Sequence, residues 1–169
     1  MEDIRDILRI PNREVVSVTK VLTGVDLKKT DSNQCAKEKV LTVMIHTRGF
    51  FLANIKCEMD RDMFEQIISG MYGGGMPPDE EQSLYMNEYM NIVCGRIVSK
   101  INTLTGSVSK LSIPEYFGEH DPDFGRDEQA YHIMLLSYRF KKALAYRYGR
   151  GFLRFIIQFE FQQNGGEDI

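Results

Sequence analysis

The sequence predicts an α+β domain with two layers, in which helices cover one face of a largely antiparallel sheet. Three observations predict this fold. Strand-like segments are joined by short glycine-containing turns, which is typical of antiparallel hairpins. Helix-like segments carry an apolar stripe on one side only. The elements follow the order helix, two or three strands, two helices and three strands, within one domain of residues 1–169.

The composition is that of an ordinary globular protein. Apolar residues make up 43% of the chain and charged residues 27%, with a net charge of −3. Without an overall basic field we expect no nucleic-acid partner. The basic residues 139, 141, 142, 147 and 150 are interpreted as solvated strand ends and a hairpin. No signal peptide and no long apolar stretch is present, so we expect a cytoplasmic protein without membrane contact.

The cysteines and histidines do not indicate a metal centre. Cys35, Cys57 and Cys94 are odd in number and lack CxxC spacing, which favours reduced thiols over disulfides or a zinc site. The three histidines are widely separated and nothing pairs them at ligand spacing. We therefore expect neither a metal nor a cofactor held by the chain itself.

The first part of the chain is predicted to hold a helix and a β-hairpin. Asn12 is a candidate N-cap for a helix over residues 13–22, which Gly24 would close. A β-branched run at 40–45 and a second strand at 50–57 are predicted to flank a turn at Arg48 and Gly49.

A second helix is predicted to begin after Asp60 and to stop at the glycines 73–75. Three consecutive glycines also suggest a phosphate-binding loop. However, no Gly-Lys-Ser/Thr follows them and no strand precedes them. The glycines are therefore interpreted as a helix stop followed by a linker through Pro77 and Pro78.

The most strongly patterned segment is a helix predicted over residues 79–104. At about 100° per residue, its apolar positions fall on one side and its polar positions on the other. The apolar side consists of Met86, Met90, Val93, Ile97, Ile101 and Leu104. The outward side consists of Leu84, Glu88, Asn91, Gly95, Ser99 and Asn102. Glycine within a helix costs roughly 1 kcal/mol relative to alanine, so Gly95 predicts a close approach by another helix or a partner.

The last third of the chain is predicted to be mostly strands. A short strand at 110–113 ends before a proline, and a charged loop follows at 119–126. Two long strands at 129–140 and 152–162 are joined around the turn 148–151. The second of them alternates apolar and polar residues, which is typical of an antiparallel strand with one solvent face.

Glu88 and Asn91 are the candidate catalytic residues. They lie three positions apart on the outward side of the long helix, so both can act on one partner surface. A carboxylate can hold a cation, and a primary amide can donate to and accept from the same water molecule. These abilities suit the hydrolysis of a phosphoryl group that another molecule carries.

The surrounding motif resembles that of the CheC and CheX chemotaxis phosphatases. Their pattern is Asp or Ser, three residues, Glu, two residues, Asn, 22 residues and Pro. Glu88, Asn91 and Pro114 match its spacing without a gap. Leu84 stands at the position of the leading Asp or Ser, which is a departure from the pattern. No second Glu-x-x-Asn occurs, so the chain is similar to CheX, with one site, rather than to CheC, with two.

The resemblance implies hydrolysis of the aspartyl phosphate on a CheY-type response regulator. In that mechanism Glu88 pairs with the regulator's lysine, and Asn91 orients the attacking water. The divalent metal, Mg²⁺, is carried by the regulator rather than by the phosphatase. Positioning and charge stabilisation dominate phosphoryl transfer, so a water-orienting amide can be enough. The resemblance also implies a homodimer formed by extension of the sheet, for which the long C-terminal strands are candidates.

Two alternatives to the phosphatase interpretation stay open. Leu84 could mark a non-catalytic module that binds a response regulator, or a flagellar or signalling partner, without hydrolysing its phosphate. In the other alternative the chain is a dimeric scaffold, and Glu88 and Asn91 only solvate a helix. Turnover of a phosphorylated regulator, as opposed to binding alone, distinguishes a phosphatase from the binding module. If the chain is a scaffold, replacing both side chains by alanine should change nothing except the stability, by a few tenths of a kcal/mol.

Overall fold

The computed structural model describes residues 4–31, 38–121 and 138–162. These residues contain three helices, a short 3₁₀ turn and seven strands. The helices are α1 Ile4–Thr23, α2 Arg61–Tyr72 and α3 Gln82–Thr105, with the 3₁₀ turn at Asp79–Glu81. The strands are β1 Lys28–Thr30, β2 Val40–Gly49, β3 Phe51–Asp60, β4 Ser109–Leu111, β5 Glu115–His120, β6 Phe140–Tyr148 and β7 Gly151–Phe161.

The described strands form one sheet in the order β1-β6-β7-β3-β2, and both β4 and β5 pair with the outer side of β2. Each of these pairings is antiparallel. The odd-numbered residues of β2, β3 and β7 join the apolar sides of the helices in one core. The structure therefore confirms the predicted α+β fold, with helices on one face of an antiparallel sheet. No helix within the described ranges is long and apolar enough to cross a membrane.

The predicted start of the first helix is wrong. Helix α1 begins at Ile4 and contains Pro11, whereas a helix over 13–22 with Asn12 as its N-cap was expected. Proline removes one helical hydrogen bond and normally interrupts a helix. Here Ile7, Ile10 and Pro11 are all buried, so core packing keeps the turn helical. Asn12 instead accepts a hydrogen bond from the Tyr146 hydroxyl at 2.7 Å.

The second helix begins and ends as predicted. Asp60 caps α2 by accepting a hydrogen bond from the Met63 amide at 2.9 Å. Gly73 ends the helix in the left-handed conformation, with φ of 90°. The amides of Gly73 and Gly74 both donate to the Ser69 carbonyl. The triple glycine is thus a helix stop and not a phosphate-binding loop.

Several strand boundaries in the last third differ from the prediction. The short strand spans Ser109–Leu111 instead of 110–113, and β5 occupies Glu115–His120, which includes the start of the predicted charged loop. The strand before the final turn is Phe140–Tyr148, and most of the predicted strand at 129–140 lies outside the described residues. Strand β7 and the turn at residues 149 and 150 lie where they were predicted.

Candidate functional site

Helix α3 presents the two candidate catalytic side chains to the outside. Its inward residues Met86, Met90, Val93, Ile97 and Ile101 are fully buried. Glu88 and Asn91 are exposed, as the helical pattern predicted. They are about 4.5 Å apart along the helix axis, on the same side of it. Within the described part of the chain neither side chain has a hydrogen bond or an ion pair, so both are available to a partner.

The buried side of α3 is wider than the predicted apolar stripe. Tyr89, Cys94 and Val98 are also buried, because α3 packs against α1 as well as against the sheet. The Tyr89 hydroxyl lies 2.7 Å from the Thr19 hydroxyl of α1, in a buried hydrogen bond. This contact fixes the rotation of α3 about its axis. It therefore holds the neighbouring Glu88 on the outer side.

The hydrogen bond of Tyr89 gives a stability prediction. The change Tyr89→Phe is expected to lower the free energy of unfolding at neutral pH by about 1 kcal/mol, because Thr19 loses its partner. Burial raises the pKa of Tyr89 well above its ordinary value of 10.0. Above that value the unfolded chain releases a proton that the folded chain keeps, so stability falls as pH rises, by up to about 1.4 kcal/mol per pH unit.

Urea unfolding of wild type and Tyr89→Phe, at neutral pH and at about pH 10.5, measures both effects. The phenylalanine variant should lose less stability between the two pH values than the wild type does. An identical loss in the two proteins would contradict the assigned role of the buried phenol.

The chain runs back along α3 after the helix ends, and this brings Pro114 towards the site. Near the end of the helix the Asn102 side-chain amide donates to the Ser109 carbonyl at 3.1 Å. At the start of α3, the guanidinium of Arg61, a residue of α2, lies 3.4 Å from the side-chain oxygen of Gln82. The same guanidinium lies 3.1 Å from the carboxylate of Glu119 in β5. Pro114 lies between Ser109 and Glu119 in the sequence, and these two residues are held near the end and the start of α3. The 22-residue interval from Asn91 is therefore the length needed to turn and return along the helix.

The segment before Pro114 is held rigidly against the sheet. The His46 amide donates to the Ser112 hydroxyl at 2.9 Å, and the Ser112 amide donates to the His46 carbonyl at 2.7 Å. These bonds fix the backbone one residue before Ile113, whose side chain is 87% exposed. Sequence reasoning did not identify this loop as part of the surface around Asn91. The proline spacing was the available signal.

Gly95 does not have the close neighbour that was predicted within the chain. A Cβ atom placed on it would meet the Leu111 side chain at 3.7 Å, which is an ordinary contact distance. The neighbour is a strand side chain, not another helix. Whether a partner approaches Gly95 stays a prediction.

The titratable groups around α3 do not form a second centre. Cys57 and Cys94 are free and fully buried, and burial raises the pKa of each thiol above its ordinary value. Cys35 lies outside the described residues. Among the residues that the structure describes, no group of three or more His, Cys, Asp or Glu could hold a metal ion. The site that can be described is therefore an exposed carboxylate and amide on a convex helix.

Two of the basic residues between 139 and 150 make contacts within the fold. The Lys142 ammonium donates to the Leu8 carbonyl of α1 at 3.0 Å. Arg147 lies over the Phe152 ring, with 5.2 Å between the guanidinium carbon and the ring centroid. These two residues are thus strand residues in intramolecular contacts, rather than solvated strand ends. The absence of a nucleic-acid partner stays a prediction.

Comparison with known proteins yields structural neighbours only. No protein-family model matches the chain, and no curated protein matches it significantly. The solved structure of CheX from Desulfovibrio desulfuricans has a TM-score of 0.71 at 11% identity, covering 92% of this chain and 99% of that one. CheX from Vibrio vulnificus has a TM-score of 0.70 at 14% identity, with 95% and 100% covered.

A third neighbour was solved as a complex. The CheX-CheY-BeF3-Mg²⁺ structure from Borrelia burgdorferi has a TM-score of 0.63 at 16% identity, covering 94% of this chain and 98% of that one. The first two neighbours are CheX chemotaxis proteins and the third structure contains CheX, and each matches over nearly its whole length. The chain described here therefore has the CheC/CheX-like fold.

Proposed function

We propose that this protein is a phosphatase that hydrolyses the aspartyl phosphate of a CheY-type response regulator. The observation that carries the proposal is the exposure of Glu88 and Asn91 on one side of α3, without partners in the described structure. The position of Pro114 on the segment that returns along α3 supports it. The Borrelia burgdorferi neighbour, whose structure contains CheY, BeF3 and Mg²⁺, supports the partner class.

In this proposal the active site is completed by the partner. The Asn91 amide accepts a hydrogen bond from a water molecule and aligns its oxygen with the phosphorus atom. The water oxygen bonds to phosphorus as the bond to the aspartyl oxygen breaks, which yields inorganic phosphate and a free carboxylate. Both protons of the water leave with the phosphate. The regulator supplies the divalent ion, and this chain supplies no nucleophile.

Glu88 is proposed to bind and orient the partner. Its carboxylate would pair with the lysine in the regulator's phosphorylation pocket and so set the register of α3. The change Glu88→Gln is expected to raise KM about tenfold or more, with a smaller effect on kcat, because a partly desolvated ion pair is lost. Steady-state phosphate release over a range of regulator concentrations measures the two constants. A fall in kcat at unchanged KM would argue against a binding role.

The proposed setting is the cytoplasm, where two-component regulators act, and the proposed assembly is a homodimer. The sheet topology limits how a dimer could form. Strand β7 pairs with β3 on one side and with β6 on the other, so it is not free to extend the sheet. The earlier expectation that both C-terminal strands serve this purpose is therefore wrong for β7.

The experiment that tests the proposed function uses a panel of CheY-type regulators phosphorylated with acetyl phosphate. Phosphate release and binding are measured in parallel, the latter by calorimetry with the beryllofluoride-loaded regulators. A phosphatase accelerates release from at least one regulator. A protein that neither binds nor accelerates any of them would contradict the proposal.

A non-catalytic binding module is the second candidate function. The observation that favours it is Leu84, which is 63% exposed at the position where the family pattern has Asp or Ser. Such a module would bind the beryllofluoride-loaded regulator and leave the phosphate lifetime unchanged. The two readouts of the same experiment therefore separate it from a phosphatase.

A further inference from the structure

We propose that Leu84 and Ile113 form a pair of apolar contacts that selects the partner regulator. The preferred regulator would carry apolar side chains, not charged ones, around its phosphorylation pocket. This inference rests on the proposed function, because it assigns the specificity of that same site. It also assigns a role in partner selection to Leu84, the residue that departs from the family pattern.

The exposure of these two side chains is the first observation. Among the described residues the three most exposed large hydrophobic side chains are Ile113 at 87%, Val21 at 86% and Leu84 at 63%. Leu84 lies on the same side of α3 as Glu88 and Asn91, and Ile113 follows Leu111 on the segment that returns along α3. Apolar side chains that are exposed next to a functional group mark a binding surface more often than scattered ones do.

The position of Leu84 is the second observation. It precedes Glu88 by four residues and Asn91 by seven, on the same side of α3. It is therefore about 6 Å before Glu88 along the helix axis. A partner that engages both polar side chains cannot avoid covering Leu84. Covering it removes apolar surface from water only if the facing side chain is also apolar.

The position of Ile113 is the third observation. Leu111 packs against α3 at Gly95. The chain continues from there towards Glu119, which contacts Arg61 near the start of α3. Ile113 follows two residues later and directly precedes Pro114. Its backbone neighbour Ser112 is fixed to β2 by two hydrogen bonds. Ile113 is thus a rigidly presented apolar side chain, on a different element from Leu84.

The arrangement combines two kinds of recognition. Glu88 and Asn91 would contact groups that response regulators share, namely a lysine and a phosphoryl group. Leu84 and Ile113 would contact the surface around the phosphorylation pocket, where regulators can differ. A charged side chain facing either residue would lose hydration without gaining a partner, and this disfavours regulators with a charged rim.

The test uses the variants Leu84→Ser and Ile113→Ser on the regulator panel, sorted by whether the pocket rim is apolar or charged. For the apolar-rim regulators each change should raise KM by about tenfold, while kcat stays within about twofold. Binding to the beryllofluoride-loaded regulator should weaken by the same factor. For charged-rim regulators the changes should leave KM unaltered or lower it.

Val21→Ser is the matched control, since it removes an equally exposed apolar side chain from α1. It should behave as the wild type with every regulator. If Leu84→Ser and Ile113→Ser keep the wild-type KM while Asn91→Ala is inactive, the specificity inference fails and the phosphatase proposal stands. If the wild type neither binds nor dephosphorylates any regulator, both fail. An equal rise in KM for Val21→Ser would also overturn the specificity inference.

Discussion

Asn91→Ala is expected to reduce the rate of regulator dephosphorylation to the rate at which the regulator loses its phosphate alone. The loss in kcat should be about 100-fold or more, because nothing else on the exposed side of α3 would align the water. Within the described residues Asn91 makes no side-chain hydrogen bond that alanine would remove. The free energy of unfolding should therefore change by only about 0.5 kcal/mol. Phosphate release and thermal unfolding of the same preparations measure the two quantities.

Ser99→Ala is the matched control for this prediction. Ser99 is exposed on the same helix, two turns beyond Asn91. Its replacement removes a small polar side chain from α3 without touching the proposed site, so activity should be retained. Binding of the beryllofluoride-loaded regulator should also survive in Asn91→Ala. An Asn91→Ala protein that turns over at the wild-type rate would exclude the amide as the water-orienting group.

The largest stability effect is expected at the ion pair between Glu58 of β3 and Arg154 of β7. The side chains of these residues are only 4% and 14% exposed, and the Arg154 Nε donates to the Glu58 carboxylate at 2.6 Å. Arg154→Leu leaves a buried carboxylate without its counter-charge. This should lower the free energy of unfolding by about 3–5 kcal/mol, as measured by urea denaturation at neutral pH.

The double variant Glu58→Leu/Arg154→Leu separates the two causes of that loss. If the uncompensated charge is responsible, the double variant should be more stable than Arg154→Leu alone, because no charge then remains buried at these two positions. A double variant as unstable as the single one would show that packing of the arginine side chain matters more. A loss below about 1 kcal/mol in Arg154→Leu would contradict the buried pair altogether.

Helix α3 was predictable because its pattern is long and nearly uninterrupted. Periodicity placed Glu88 and Asn91 on the outer side, and the structure confirms their exposure. Periodicity could not show what holds that orientation. The bond between Tyr89 and Thr19 joins residues that are 70 positions apart, and only the packing of α3 on α1 brings them together.

The errors arose where tertiary packing overrides a local rule. The first helix was predicted to begin after Asn12, yet packing of the buried Ile7, Ile10 and Pro11 keeps the preceding turns helical. Strand β5 carries few apolar residues and was not predicted; its last two residues were assigned to a loop, but pairing with β2 makes the segment a strand. Similarly, the resemblance gave the 22-residue interval between Asn91 and Pro114 but did not explain its length. The fold explains it, because the chain turns after α3 and returns along the helix.

This chain is proposed to act on a phosphoryl group which another protein carries. The most direct measurement follows phosphate release from an excess of phosphorylated regulator after a small amount of this protein is added. Each molecule is expected to release many phosphates, and the initial rate is expected to rise in proportion to the amount added. A release curve that coincides with that of the regulator alone, for every regulator tested, would contradict the proposal.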